Sequence, residues 1–185
     1  MSEFYYSSEQ KNVSNYLTRK LGEMLKGEIP VIVCIGTDAT IGDSLGPICG
    51  TMLEGRMKEE FIYGTLQKTV TAKEIRTIKT FISKVHPLSK VLVIDAAVGK
   101  LEDVGYIKIS DAPIKPGLGA DKDLPEIGDI SIISIIGEKT NGNYAFMNMT
   151  RLSPVYYIAK LIADGIEGYY KEAKSVSLKN YSAIS

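Results

Sequence analysis

The sequence predicts an α/β protein with a mostly parallel central sheet covered by helices. The first observation is the apolar run VIVCI at residues 31–35, which is typical of a strand buried on both faces. The second is that segments of strand and helix character alternate from there to residue 94, the order of βαβ units. The length of 185 residues and the hydrophobic content of 44% fit one globular domain with a substantial core.

The remaining elements follow from the spacing of apolar residues. Helical periodicity predicts helices over residues 7–27, 72–85 and 153–173, the last with Ser153 as N-cap and Pro154 at its first position. Apolar runs predict strands over residues 61–66, 91–94, 104–109 and 130–136. The strand at 104–109 follows a short turn and is expected to be antiparallel. Residues 1–173 form the expected single domain, and the Lys/Ser-rich tail 174–185 is expected to fray.

The loop after the first buried strand is the most informative part of the sequence. A helix is predicted to begin at Asp43, whose carboxylate can act as an N-cap or can serve chemistry, since ligands gather beyond the carboxyl ends of parallel strands. Gly42, Gly46 and Gly50 are four residues apart and share one helix face. Because interior glycines weaken a helix, this face is expected to lie against a neighbouring strand or a bound peptide backbone.

A second carboxylate, Asp95, follows the strand at 91–94. The commonest strand order of such folds places this strand beside 31–35, which would bring Asp43 and Asp95 to the same rim of the sheet. Two neighbouring carboxyls raise the pKa of one of them and can divide acid and base roles on one water. The alternative is that each aspartate only bonds the amides of its own turn.

Several classes of function are disfavoured by composition. Lysine plus arginine and aspartate plus glutamate both number 22, which argues against a nucleic-acid partner held by phosphate contacts. No apolar run approaches a membrane span, and residues 1–6 lack signal-peptide character, so we expect a cytoplasmic protein. The phosphate-binding glycine motifs and C-x-x-C are absent. Cys34 and Cys49 are expected in the core, and the single histidine, His86, at a helix end.

Several short motifs in a fixed order resemble the sporulation-associated YyaC family, whose members are described as spore proteases. The likeness extends to germination protease and, more distantly, to the hydrogenase maturation endopeptidases. It covers residues 29–168, nearly the whole domain. The motifs are GTD at 36–38, GDSLGP at 42–47, YGTL at 63–66, VIDA at 93–96, PG at 116–117, LP at 124–125 and GD at 128–129.

The resemblance implies a three-layer α/β/α fold of the phosphorylase/hydrolase-like kind and hydrolysis of a peptide bond in a protein or peptide substrate. Asp43 and Asp95 match the two acidic positions of the family and are the expected catalytic residues. Amides at the start of the helix could hold an oxyanion. The residues expected to bind the substrate or the oxyanion are Asp38, Gly42, Ser44, Leu45 and Gly117.

The chain departs from the family pattern at one position that bears on metal binding. The family often carries Pro-Val-His-Ala where this chain has TVTA at 69–72, so a histidine is missing. The hydrogenase endopeptidases hold nickel with a histidine, and no counterpart is found. We therefore expect no cofactor, and a metal ion bridging Asp43 and Asp95 is disfavoured.

The leading hypothesis is an endopeptidase of sporulating or germinating cells that uses an aspartate pair. The missing histidine leaves open a binding or regulatory module that has kept the fold without catalysis. A small anion or nucleoside at residues 36–43 is a third alternative, since helix starts attract anions. The negative charge of Asp43 disfavours that ligand.

Overall fold

The computed structural model describes residues 2–116, 124–139 and 151–182, with side chains up to residue 176. Within these residues six strands form one sheet in the order β1-β5-β6-β4-β2-β3. Strands β6, β4, β2 and β3 are mutually parallel, whereas β5 is antiparallel to both β6 and β1, which confirms the mostly parallel sheet. The strands are β1 Glu3–Ser7, β2 Val31–Cys34, β3 Ile62–Tyr63, β4 Val91–Gly99, β5 Tyr106–Ser110 and β6 Ile130–Glu138.

Helices cover both faces of the sheet. They are α1 Val13–Leu25, α2 Leu45–Arg56, α3 Ile75–Val85 and α4 Leu152–Ser182. The first, second and fourth pack together over one apolar core, and α3 covers a second core on the opposite face. This is the three-layer arrangement expected. Among the residues described, none of the helices has both the length and the apolar character required to span a bilayer.

The strand neighbours that position the site are those predicted. Strands β2 and β4 are parallel and directly paired, from Val31 opposite Val91 to Cys34 opposite Ile94. Their carboxyl ends therefore point to the same rim of the sheet, hereafter the carboxyl rim. The side chains of both strands are almost fully buried over this paired stretch, in agreement with their unbroken apolar sequence.

Several predicted elements differ from the structure at their ends, and one strand was not predicted. Strand β1 was not predicted, because it is a short edge strand and none of its residues is fully buried. Its last residue is Ser7, and α1 consequently begins at Val13 rather than at residue 7. The strand expected at 61–66 is reduced to the pair Ile62–Tyr63. The chain turns back after Tyr63, and the Thr65 and Lys68 backbones bond each other.

The last helix is longer at both ends than the sequence indicated. It begins at Leu152, so Ser153 is not its N-cap and Pro154 lies in the first turn, where a missing amide costs no helical bond. It continues to Ser182, beyond the expected end at residue 173. The Lys174 ammonium forms ion pairs with Glu59 at 2.9 Å and Glu60 at 3.1 Å, which connect this part of α4 to the segment after α2.

The glycines of α2 allow the helix to lie directly on the strand backbone. A Cβ atom built on Gly46 would overlap the carbonyl oxygen of Ile35, and one on Gly50 would overlap that of Gly64. The close neighbour predicted for the glycine face is therefore the carboxyl end of the sheet for Gly46 and Gly50, whereas Gly42 lies before α2. The beginning of α2 is consequently fixed at the carboxyl rim.

We expect Gly46→Ala to lower the free energy of unfolding by about 2 kcal/mol or more, because the methyl group displaces backbone rather than a side chain. Gly55→Ala is the matched control in the same helix, since a Cβ there meets nothing within 4 Å. It should stabilise the protein by about 0.5 kcal/mol through helix propensity. Denaturant unfolding of both variants measures the difference, and equal free energies would show that α2 is not closely packed.

Candidate active site

The carboxyl rim is formed where β2 ends and the chain turns away from the sheet. Ile35 donates its N–H to the carbonyl of Ile94 at 2.8 Å, and Gly36 donates to the carbonyl of Val70 at 3.0 Å. Gly36 has φ +141°, a conformation that side-chain-bearing residues rarely adopt, and a Cβ there would overlap the backbone oxygen of Asp43. The strand end and the turn that carries Asp43 therefore touch.

Asp43 is held by a closed loop rather than by a helix cap. The Thr37 amide donates to the Asp43 carbonyl at 3.0 Å, which closes residues 37–43 into a loop. Asp43 lies in a 3₁₀ turn, Gly42–Ser44, and α2 begins only at Leu45. The prediction that the helix begins at Asp43 is therefore wrong, and the alternative role of Asp43 as its N-cap is not seen, because the 3₁₀ turn comes first.

Asp95 lies inside a strand and not at its end. Strand β4 continues to Gly99 because β6 pairs with it over that whole length, although β2 has already ended opposite Ile94. Asp95 is therefore the first residue of β4 beyond the end of β2. It is half-buried, and its Oδ1 accepts a hydrogen bond from the Ala96 amide at 2.9 Å.

The two carboxyls interact electrostatically at this rim. Burial raises the pKa of Asp43 to about 6, partly offset by a backbone hydrogen bond from Thr37. Burial also raises the pKa of Asp95 well above its ordinary value; the negative charge of Asp43 adds to this, and the Ala96 amide opposes it. The 3₁₀ turn contacts β4, in agreement with this interaction. The fold thus brings together the two aspartates that the sequence singled out.

The other predicted binding residues differ in whether they are exposed at the carboxyl rim. Asp38 is exposed in the turn between β2 and α2, and Gly42 is buried beside Asp43. Ser44 directs both its hydroxyl, at 2.6 Å, and its amide, at 3.2 Å, to the carbonyl of Ile41, so its donors stabilise the turn. Leu45 is fully buried in the core. Gly117 lies outside the described residues.

Sequence reasoning did not identify the strand end that completes the rim. Val70 forms an isolated parallel bridge with Ile35, which places Thr71 next to the Gly36 turn. Thr71 occupies the position where the resemblance expects a histidine, and both its amide and hydroxyl donate to the Glu74 carboxylate. Among the described residues, no group of three or more His, Cys, Asp or Glu side chains is placed to hold a metal ion.

A cavity of about 380 Å³ lies between α3 and residues 126–129, at the opposite rim of the sheet, where β4 begins at Val91. His86 lines it, ends α3 as predicted, and its Nε2 lies 2.8 Å from the Tyr63 hydroxyl. Cys34 and Cys49 are buried in the core, also as predicted. The histidine and this cavity are therefore remote from the two aspartates.

Fold and site together define an α/β protein with a pair of interacting carboxyls at the carboxyl rim of its sheet. Residues 2–165 match the profile of the family described as "Protein of unknown function (DUF1256)", and the chain belongs to this family. It is 40% identical over 141 residues to the uncharacterized protein YyaC of Bacillus subtilis (strain 168), covering 76% of this chain and 69% of that protein. The predicted family resemblance is confirmed.

The fold is similar to that of a [NiFe] hydrogenase maturation protease, HycI, from Thermococcus kodakarensis KOD1. The TM-score is 0.45 and the sequence identity 16%, over 80% of this chain and 99% of that chain.

Proposed function

We propose that this protein is an endopeptidase that hydrolyses a peptide bond with Asp43 as general base and Asp95 as general acid. The observation that carries the proposal is the pair of unequal carboxyls at the carboxyl rim. The pKa of Asp43, about 6, leaves it mostly ionised at neutral pH, whereas burial and the charge of Asp43 favour a proton on Asp95. One group can then accept a proton while the other donates one.

The reaction follows from these two protonation states. The Asp43 carboxylate takes a proton from water as the water oxygen attacks the scissile carbonyl carbon, and Asp95 donates its proton to the carbonyl oxygen. When the C–N bond breaks, Asp43 returns its proton to the leaving amine. Asp95 recovers its own proton as the carbonyl re-forms. Both carboxyls end in their starting states, and the aspartate pair needs no metal ion for this sequence.

The protonation states predict the pH dependence of the reaction. We expect kcat/KM to rise as the pH passes about 6, where Asp43 ionises, and to fall at higher pH as Asp95 loses its proton. The profile is measured on a peptide cleaved by the protein. An acidic limb near 3.8, the ordinary value for an aspartate, would contradict the assignment of the desolvated Asp43 as the base.

The proposed activity can be tested without knowledge of the substrate. The protein is incubated with an extract of sporulating Bacillus subtilis, the organism of the YyaC relative, and new protein amino termini are identified by labelling and mass spectrometry. We expect new termini with the native protein and none with Asp43→Asn or Asp95→Asn. Equal sets of termini with all three proteins would overturn the proposal.

We also propose that the activity belongs to sporulating or germinating cells, as the family resemblance implies. The same incubation with an extract of vegetative cells is the comparison. We expect the cleaved proteins to be confined to the sporulating extract. Cleavage of the same proteins in both extracts would remove the link to sporulation and leave the endopeptidase proposal unchanged.

A further inference from the structure

Strand β4 has an open edge that begins at the candidate active site. On one side β6 pairs with β4 from Leu92 to Gly99, whereas on the other side β2 pairs with it only as far as Ile94. Residues 95–99 of β4 therefore extend beyond β2. Within the described part of the chain, no strand pairs with that side of β4 after Ile94.

The backbone groups that face this edge can be identified from the alternation of the strand. The carbonyl of Ile94 accepts the Ile35 amide on the β2 side, and the carbonyl of Gly99 accepts the Lys139 amide on the β6 side. The register between β4 and β6 shifts between Ala97 and Val98, where the additional residue lies on β6 and the alternation of β4 is kept. Because successive residues of β4 alternate between the two sides, the amides and carbonyls of Ala96 and Val98 face the open edge. The Ala96 amide donates to Asp95 Oδ1, so an added strand would replace that carboxylate as its acceptor.

We propose that an extended peptide segment binds along this open edge of β4 as an added strand, with its backbone paired to Ala96 and Val98. The proposal rests on the proposed function, because a segment seated here passes Asp95 and carries one of its peptide bonds to the aspartate pair. Alternating donors and acceptors along a strand edge are matched by an extended backbone and not by a helix. Ala96, Ala97 and Gly99 are small, and each is half-buried, so part of each residue remains exposed to solvent.

The kind of substrate follows from this mode of binding. An added strand requires several consecutive residues free of their own secondary structure, which excludes a bond inside a folded element. The occupant is therefore an unfolded chain terminus or a linker of a protein substrate. Main-chain pairing provides affinity, and side chains on alternate positions provide selectivity.

The test measures peptide binding separately from cleavage. A displayed library of random dodecapeptides is selected on Asp43→Asn, which binds without turnover, and affinities of the selected peptides are measured in this background. Val98→Pro removes the amide that faces the open edge and leaves the ladder to β6 intact, a position at which proline is tolerated. Val98→Ala is the matched control, since it shortens the side chain and keeps the amide.

We expect Val98→Pro to weaken binding by about tenfold or more and Val98→Ala by much less, since only the first loses a backbone hydrogen bond and blocks the approach of the peptide. Thermal unfolding of both variants shows whether the fold is retained. A second measurement leaves the protein unchanged: peptides are N-methylated at alternate positions. N-methylation of one set of alternate residues should abolish binding, and N-methylation of the other set should not. The reason is that only alternate residues of an added strand direct their amides to β4.

The outcomes separate this proposal from the proposed function. The added strand would be overturned if no peptide were selected. It would also be overturned if binding were unchanged by Val98→Pro and equally affected by N-methylation of either set of alternate peptide residues. Cleavage that proceeds equally in the two Val98 variants with Asp43 restored would overturn it as well, with hydrolysis left standing. Binding that shows the expected pattern without any cleaved bond would support the added strand and overturn the hydrolysis.

Discussion

Asp43→Asn and Asp95→Asn should each reduce turnover by about a thousandfold or more. The amide cannot accept a proton from water in the first variant and cannot donate one to the carbonyl in the second, and general acid–base steps contribute on this scale. Single-turnover cleavage of a peptide found in the extract experiment measures the loss. Asp129→Asn is the matched control: its exposed carboxylate lies at the opposite rim, where it accepts the Val91 amide at 2.8 Å. That variant should keep full activity.

The stability of Asp43→Asn should change in the direction opposite to its activity. A carboxyl whose folded pKa is raised binds its proton more tightly in the folded state, so the stability it contributes is lost as pH rises from about 4 to about 6. At neutral pH the folded protein therefore carries a disfavoured charge that the amide removes. We expect a gain on the order of 1 to 2 kcal/mol, reduced from the full shift because Asp43 is partly exposed to solvent.

Denaturant unfolding at pH 4.5 and pH 7 checks this sign. The native protein should lose more stability between the two conditions than Asp43→Asn does. Parallel changes in the two proteins would show that Asp43 is not desolvated in the folded state. The assignment of acid and base roles would then lose its physical basis, even if turnover fell as expected.

Gly36→Ala should reduce both stability and activity because two costs act at one residue. Alanine is strained at φ +141°, and its methyl group would overlap the backbone oxygen of Asp43. We expect a loss of about 3 kcal/mol in the free energy of unfolding. Displacement of the turn that carries Asp43 should also reduce kcat/KM by about tenfold or more, since misplaced reacting groups are costly.

Gly27→Ala separates the two costs of that substitution. Gly27 also has a positive φ, +91°, but a Cβ there meets nothing within 4 Å and the residue follows α1, away from the rim. It should lose about 1 kcal/mol from backbone strain alone and keep its activity. Equal losses of stability in the two variants would mean that Gly36 is not packed against Asp43.

The pairing of β2 with β4 could be predicted from sequence because it depends on patterns that survive in a single chain. Unbroken apolar strands such as 31–35 indicate burial on both faces, and βαβ connectivity then restricts the strand order to a few possibilities. The convergence of Asp43 and Asp95 followed from that order alone. The chemistry of the two aspartates stays a prediction, since burial accounts for their raised pKa values and does not identify a reaction.

The parts that sequence did not reveal depend on contacts with distant residues. Asp95 looks like a strand end because the apolar run stops at Ile94, yet pairing with β6 carries the strand to Gly99. Within the described residues the short edge strand β1 pairs with β5 alone, so its own residues give little signal. Ser44 was expected to face a substrate, whereas its donors are used by the carbonyl of Ile41 three residues earlier.

In the proposed complex, the hydrogen bond between the Ala96 amide and Asp95 would couple occupancy of the strand edge to the charge of Asp95. That bond opposes the rise in the pKa of Asp95, because it stabilises the ionised carboxylate. A peptide carbonyl that takes the Ala96 amide removes this stabilisation, and the affinity of Asp95 for its proton increases. Binding of the peptide would in this way favour the protonated form of Asp95 that the proposed reaction requires. Without a bound peptide, the Ala96 hydrogen bond would favour the ionised form, which is less reactive as an acid.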